Sequence, residues 1–266
     1  MMRLAGLALA ILGVAAIVRP AQAQTQPGFE LGPEAGYYSY RESGLNITGQ
    51  MAGIEGAWTW RSPRSFFLRF EGTAAVARVD YSAALSGTTN NIYDLKGEPR
   101  ALIGTDVTLQ QGLVLTPFGG IGYRALYDMQ GGTHTDSTPP HLGYNRLSQY
   151  LYLPVGATLG VSYRGWTIKS TLEGDYLLQG WQTSYLSGVG FSSDITNVQH
   201  NGYGFRARVM VETDSVFGPI GFGPYMQYWK IGQSDFASFA GGKTAGIAYE
   251  PSNHTIEAGL AFKFAF

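Results

Sequence analysis

Ten stretches of alternating residues run along this chain, the last from Thr255 to Phe266, and alternation sustained over such lengths marks β-strands with two unlike faces. In the last stretch Ile256, Ala258, Leu260, Phe262, Phe264 and Phe266 share one face, while Glu257, Gly259, Ala261, Lys263 and Ala265 share the other. A soluble sheet would bury the greasy face and wet the charged one. A sheet in hydrocarbon does the reverse, and it must close on itself, because each backbone N–H and C=O there needs a partner within the protein.

The connections choose between these readings. Strands are predicted at 29–40, 49–61, 65–81, 92–109, 113–128, 146–163, 166–182, 202–213, 218–231 and 254–266. The links at 62–64, 110–112, 164–165 and 214–217 are short, whereas those at 41–48, 82–91, 129–145, 183–201 and 232–253 are long. Short turns on one side and long loops on the other are the arrangement of a closed, antiparallel, up-and-down transmembrane barrel, with turns in the periplasm and loops outside the cell. Ten strands is the predicted count. Eight is the alternative, since Gly32, Pro33, Gly49 and Gly53 thin the pattern of the first two strands.

The start of the chain reads as an export leader. Arg3 precedes a 15-residue apolar run, Leu4 to Val18, and the triplet Ala21-Gln22-Ala23 suits signal-peptide cleavage after 23, leaving 24–266 as the barrel domain. That apolar run is shorter than the roughly 20 residues of a spanning helix. Removing Arg3 and Arg19 leaves 16 basic residues against 19 acidic, a net charge of −3, which offers no basic surface to nucleic acid. There is no cysteine, so disulfides and thiolate metal sites are excluded, and no cofactor is expected.

Parity sorts the side chains. Phe66, Leu68, Phe70, Leu147, Leu151, Leu153, Val155, Ile168, Leu172, Tyr176, Leu178, Tyr203, Phe205, Val209 and Val211 face outward and include no charge. Trp58, Trp60, Phe66, Tyr163, Trp166 and Phe266 near the turns, and Tyr37, Tyr81, Tyr93, Tyr127, Trp181 and Trp229 near the loops, suit two aromatic girdles. The inward face carries the acids Glu30, Glu34, Glu55, Glu71, Asp94, Glu98, Asp106, Glu173, Asp175, Glu212 and Glu257. Its bases are Arg69, Lys96, Arg100, Arg124, Arg146, Lys169, Arg206, Arg208 and Lys263. Eight strands are roughly filled by their own side chains and open porins take about sixteen, so a ten-stranded bore is expected to be narrow and charge-paired. The alternative is a ladder such as Asp94, Lys96, Glu98, Arg100 guiding a small solute.

Catalysis has weaker candidates. Glu173 and Asp175 share a face and could act as acid and base, but inward lysine and arginine would keep both ionised. His134, Asp136 and His141 could form a base or a weak metal site, although no zinc or nucleophile motif accompanies them; His200 and His254 also lie in or beside loops. The chain therefore reads as non-enzymatic. Tyr185, Leu186, Val189 and Phe191 in the fourth loop, and Phe236, Phe239, Tyr249 and Pro251 in the fifth, suit loop-on-loop packing or capture of an extracellular ligand.

The terminal FKFAF, the opening FELGPEAGYYSY, and the phrases GIGYRALYD and SQYLYLPVGATLGVSYR resemble those of small Gram-negative outer-membrane β-barrel proteins. The resemblance implies a folded transmembrane barrel and no specific activity; with the export leader, the expectation is a monomer carried through the periplasm and seated in outer-membrane lipid and lipopolysaccharide. The resemblance also implies that Phe262, Phe264 and Phe266 are read by the barrel-insertion machinery. The strand count is similar to that of the omptin proteases, whose rim carries paired acids and an Asp-His couple; no adjacent Asp-Asp pair and no Asp-x-His motif is found here. A lipid A-modifying hydrolase is likewise unsupported, since His254 has no matching serine motif.

Overall fold

The computed structural model describes residues 28–63, 66–216, 218–241 and 244–266. The expected leader, 1–23, lies outside the described residues. In chain order the strands are β1 (Gly28–Glu42), β2 (Leu45–Arg61), β3 (Phe66–Ala83), β4 (Gly87–Thr105), β5 (Val107–Gln110), β6 (Leu113–Asp128), β7 (Arg146–Tyr163), β8 (Trp166–Ser184), β9 (Ile195–Gln199), β10 (Gly202–Ser215), β11 (Gly218–Ile231), β12 (Ala237–Gly241), β13 (Thr244–Ala248) and β14 (Asn253–Ala265).

Ten of these form the wall, each antiparallel to its neighbours in the order β1-β2-β3-β4-β6-β7-β8-β10-β11-β14. The ring closes where β14 pairs with β1, from Glu30↔Ala265 to Glu42↔Asn253. Closure removes both sheet edges, so the wall strands satisfy one another's backbone groups without water. The eight-stranded alternative is set aside: β1 and β2 pair along their whole length, from Gly28↔Thr59 to Glu42↔Leu45. Their glycines mark close approach. A Cβ on Gly49 would sit 1.9 Å from the carbonyl oxygen of Arg78, and one on Gly32 would sit 1.8 Å from that of Phe262.

The first two loops are much shorter than predicted. Residues 43–44 alone join β1 to β2, and 84–86 join β3 to β4, because pairing continues to Glu42↔Leu45 and Ala83↔Gly87. Inward residues keep finding apolar company there: Tyr38, Tyr40, Ile47, Met51, Ala77, Val79 and Ile92 form a buried cluster at the loop end. That burial extends both hairpins. The remaining loops are long and carry β9 and the β12–β13 hairpin. On the turn side Arg164 and Gly165 have φ of 48° and 84°, the pair of positive values that a two-residue type I′ hairpin needs. The strand predicted to run to 109 breaks at Asp106, leaving β5 as a short separate piece on β6.

Every residue of the predicted lipid face is exposed or half-buried, with Leu172 at 59% and Val155 at 67%. Trp58 stacks on Phe70 at 5.9 Å and Trp60 meets Phe66 edge-on at 6.3 Å, as expected of a turn-side aromatic belt. Two loop-side belt assignments are corrected. Tyr81 points inward against the loop-end cluster, and Trp229, 1% exposed, lies inside the barrel. Position near the strand end suggests a belt for both, whereas the alternation puts them on the lumen face. Trp181 does face outward: a bulge pairs Leu151 with Gln179 but Tyr152 with Leu177, so the inward set passes from Leu177 to Gly180 and Gln182.

Candidate functional site

The lumen is the chemically distinctive part of the molecule. Period-two alternation delivers one charged residue per two positions to the inside of β4 (Asp94, Lys96, Glu98, Arg100), and neighbouring strands supply the counter-charges. At mid-height Lys96 Nζ lies 2.5 Å from Glu257 Oε2 and 3.4 Å from Glu98 Oε2. Arg124 Nη2 meets the other Glu257 oxygen at 2.5 Å. Arg206 bonds Glu98 and reaches Asp175 at 2.9 Å and Glu173 at 3.0 Å. Arg100 spans Glu173 at 2.5 Å and Glu71 at 3.2 Å. The Tyr152 hydroxyl donates to Glu98 at 2.6 Å, and Gln227 accepts from Lys96 at 3.2 Å.

Below this layer, toward the turns, Arg69 holds Glu30 and Glu71, each at 2.6 Å. Glu212 takes Lys169 and Lys263 at 2.7 Å each, Lys263 also lies 3.4 Å from Glu30, Arg208 holds Glu55 at 2.5 Å, and Arg61 holds Asp106 at 3.0 Å. Buried charges tolerate removal from water only when paired and hydrogen-bonded, which is what these rows provide. Glu173 and Asp175 are thus clamped by two guanidiniums deep in the bore.

Above the central layer the acids outnumber the bases. Asp94 and Asp128 are directly opposite on β4 and β6, and Asp128 is opposite Arg146 on β7. Arg146 lies 3.1 Å from Asp128 and 3.9 Å from Glu250, while the Tyr40 hydroxyl is 2.9 Å from Glu42 and 3.1 Å from Glu250. Burial, together with the nearby Glu42 carboxylate and against the pull of Arg146, raises the Glu250 carboxyl to about 7. Between Tyr38, Asp94, Asp128, Arg146 and Gln182 lies a space of about 20 Å³. On a measure by which one water needs about 10–15 Å³, that is room for one or two waters. At the opposite mouth, beside Glu30, Thr59 and Arg61, a second space measures about 30 Å³.

Trp229 completes the filling. Its ring meets Tyr152 edge-on at 5.0 Å and Tyr150 face-on at 6.3 Å, with the Arg124 guanidinium 5.6 Å away. Together with Leu126, Leu177 and Ile231 these rings form a second buried cluster. Sequence reasoning missed Asp128, Glu42, Glu250, Gln227 and the aromatic plug. Asp128 was recoverable from parity with Arg124 and Leu126. Glu250 lies in a loop, where no periodicity points to it.

The loop histidines are engaged separately. Asp136 accepts from the Thr88 amide and hydroxyl at 2.7 Å each, which holds its carboxyl below the usual range; His141 Nδ1 lies 3.0 Å from Ser137 Oγ. Among the described residues no three histidines or acids are grouped to hold a metal. His200 and Asp235 approach to 3.0 Å on the surface, and neither is among the residues that line the space between Asp94 and Asp128. In the cap, Phe191 packs edge-on against Phe239 at 5.6 Å and Phe236 against Tyr249 at 5.2 Å. Asn197 donates to the carbonyls of Asp235 and Ala248 at 3.0 and 3.1 Å, tying the fifth loop to β9.

A closed ten-stranded antiparallel barrel with an apolar wall and a charged interior has the fold of the outer-membrane β-barrel proteins. The structure is similar to the outer membrane protease OmpT from Escherichia coli, with a TM-score of 0.59 at 10% identity over 90% of this chain and 97% of that one. It also matches the translocator domain of the autotransporter NalP from Neisseria meningitidis, with a TM-score of 0.42 at 12% identity over 91% of this chain and 90% of that one. No protein-family model and no curated protein sequence matches the chain. At such identities the likeness is one of fold.

Proposed function

We propose that the protein is an integral outer-membrane barrel, monomeric and exported through the periplasm, whose lumen is sealed and whose role is structural or surface-binding. The observation that carries this reading is the central layer: Arg124 and Glu257, from opposite walls, touch with no exposed surface, and Glu98, Glu173 and Asp175 beside them are at most 4% exposed. A path for solute would have to break several buried ion pairs at once. Ring closure within one chain supports a monomer. The apolar outer face of β14, with Phe262, Phe264 and Phe266, suits contact with lipid and recognition during insertion. The loop cap is then the surface on which an extracellular ligand would be met.

The full chain, refolded and reconstituted in a planar lipid bilayer, tests this directly. Silence from protein that is demonstrably folded is the expected result. Stable current steps would overturn it in favour of a porin-like diffusion channel.

A further inference from the structure

Ten of the fourteen lysines and arginines among the described residues are ion-paired in the lumen. The other four, Arg41, Arg78, Arg164 and Lys230, have no ion pair among the described residues, and three of them lie on the loop-side half of the outer wall. Two of these share a row. Lys230 on β11 is directly opposite His254 on β14, and His254 is directly opposite Arg41 on β1. All three alternate with buried lumen residues (Ile231, Asn253, Thr255 and Tyr40), so all three side chains are on the outside. Arg41 donates to Asn46 at 3.1 Å, the next residue along the row, and Tyr203 flanks Lys230 on the other side. No acid interrupts the row. The nearest carboxylate on β1, Glu42, is on the lumen face and bonded to Tyr40.

Neighbouring Cα atoms in such a row are roughly 5 Å apart, so the ends of three side chains can converge on one tetrahedral anion. The surface immediately toward the turns is mainly apolar: Tyr228, Ile256 and the buried Ser39 come next, then Met226, Ala258 and Tyr37, then Pro224, Leu260 and Ala35. Cations above an apolar strip complement an amphiphile with its phosphate at the interface and its chains beside the wall. A free anion would have no use for the strip.

We infer that Arg41, His254 and Lys230 form a binding site for the phosphate of an outer-leaflet lipid headgroup. The inference rests on the reading of the barrel as an outer-membrane protein. The test is native mass spectrometry of the full chain in detergent with added bis-phosphorylated lipid A, comparing the parent with Arg41→Gln/Lys230→Gln and with the charge-keeping Arg41→Lys/Lys230→Arg. Heat-modifiable gel mobility is checked first. A parent that does not fold as a barrel in detergent or bilayer would remove the membrane reading and the site with it. Given folded proteins, lipid retention is expected to fall at least tenfold in the glutamine variant, to persist in the charge-keeping one, and to resist millimolar inorganic phosphate. Equal retention by parent and glutamine variant would overturn the site while leaving the barrel reading intact. Displacement by inorganic phosphate would overturn the lipid as its ligand.

Discussion

Arg124 and Glu257 stand five strands apart by either route around the ring, on opposite walls of the barrel, and their side chains meet at 2.5 Å in the middle of the bore. Glu257 also holds Lys96, from a third strand, so one carboxylate ties β4, β6 and β14 together. Such a contact works as a tie-beam, fixing the lumen against ovalisation as well as closing it. Paired burial of charge contributes little net stability over an apolar filling, but removal of one partner is costly because the other is left charged and dry.

The first prediction follows from that asymmetry. Glu257→Leu strands the buried Arg124 and leaves Lys96 only the longer contact to Glu98, and it is expected to destabilise the folded barrel by about 3–5 kcal/mol. Arg124→Met leaves Glu257 paired with Lys96 and should cost clearly less. Urea unfolding of the refolded proteins in lipid vesicles gives the comparison, and equal costs would contradict the assignment of Glu257 as the shared anchor.

Leu172 probes the wall. It is 59% exposed at mid-strand on the apolar face. Leu172→Arg is expected to cost roughly 2–4 kcal/mol or to block assembly, because a charge near the bilayer midplane is poorly solvated. Unchanged insertion and unfolding would mean that this face does not meet lipid.

Trp229 tests the aromatic plug. Trp229→Ala removes a ring packed on Tyr150 and Tyr152, and a loss of about 3–5 kcal/mol is expected from the cavity it leaves. Fluorescence offers an independent readout: the blue-shifted component of a buried indole should vanish, and a spectrum unchanged by the substitution would place Trp229 at the lipid interface after all.

The Glu250 carboxyl, raised to about 7 from 4.5, makes the cap sensitive to pH. A raised value means that the folded state keeps a proton which the unfolded loop gives up. Its contribution is therefore fully present below pH 4.5 and is lost as pH rises through about 7. Amide exchange in the segment around Ser234 and Glu250, joined by hydrogen bonds of 2.8 and 3.0 Å, should be slower at pH 5 than at pH 7.5 after correction for intrinsic rates. Glu250→Gln should flatten that difference; a slope that survives the substitution would assign it to another group.

Particular residues show how far the one-dimensional pattern reaches. Alternation placed Phe66, Leu68 and Phe70 outside and Arg69 and Glu71 inside, because a pleated strand sends successive side chains to opposite faces whatever its neighbours do. It could not show that β1 and β2 run on to a two-residue turn. That depended on Tyr40, Ile47 and Val79 finding one another across three strands. Nor could it foresee the bulge at Leu178, which resets the faces of Gly180, Trp181 and Gln182 through pairing with β7.

By itself the sequence determined the barrel class and the two faces of the regular strand stretches, since these rest on local periodicity and on the requirement that backbone in lipid be fully hydrogen-bonded, whereas pairing of β1 with β2 and β14 decided for ten strands over eight. Only the tertiary structure decided which charges meet, that Trp229 and Tyr152 fill the bore, that Asp94 faces Asp128, and that Lys230, His254 and Arg41 form one outer row. Those relations depend on the register between strands far apart in the chain, and register is a property of the closed sheet, not of any strand alone.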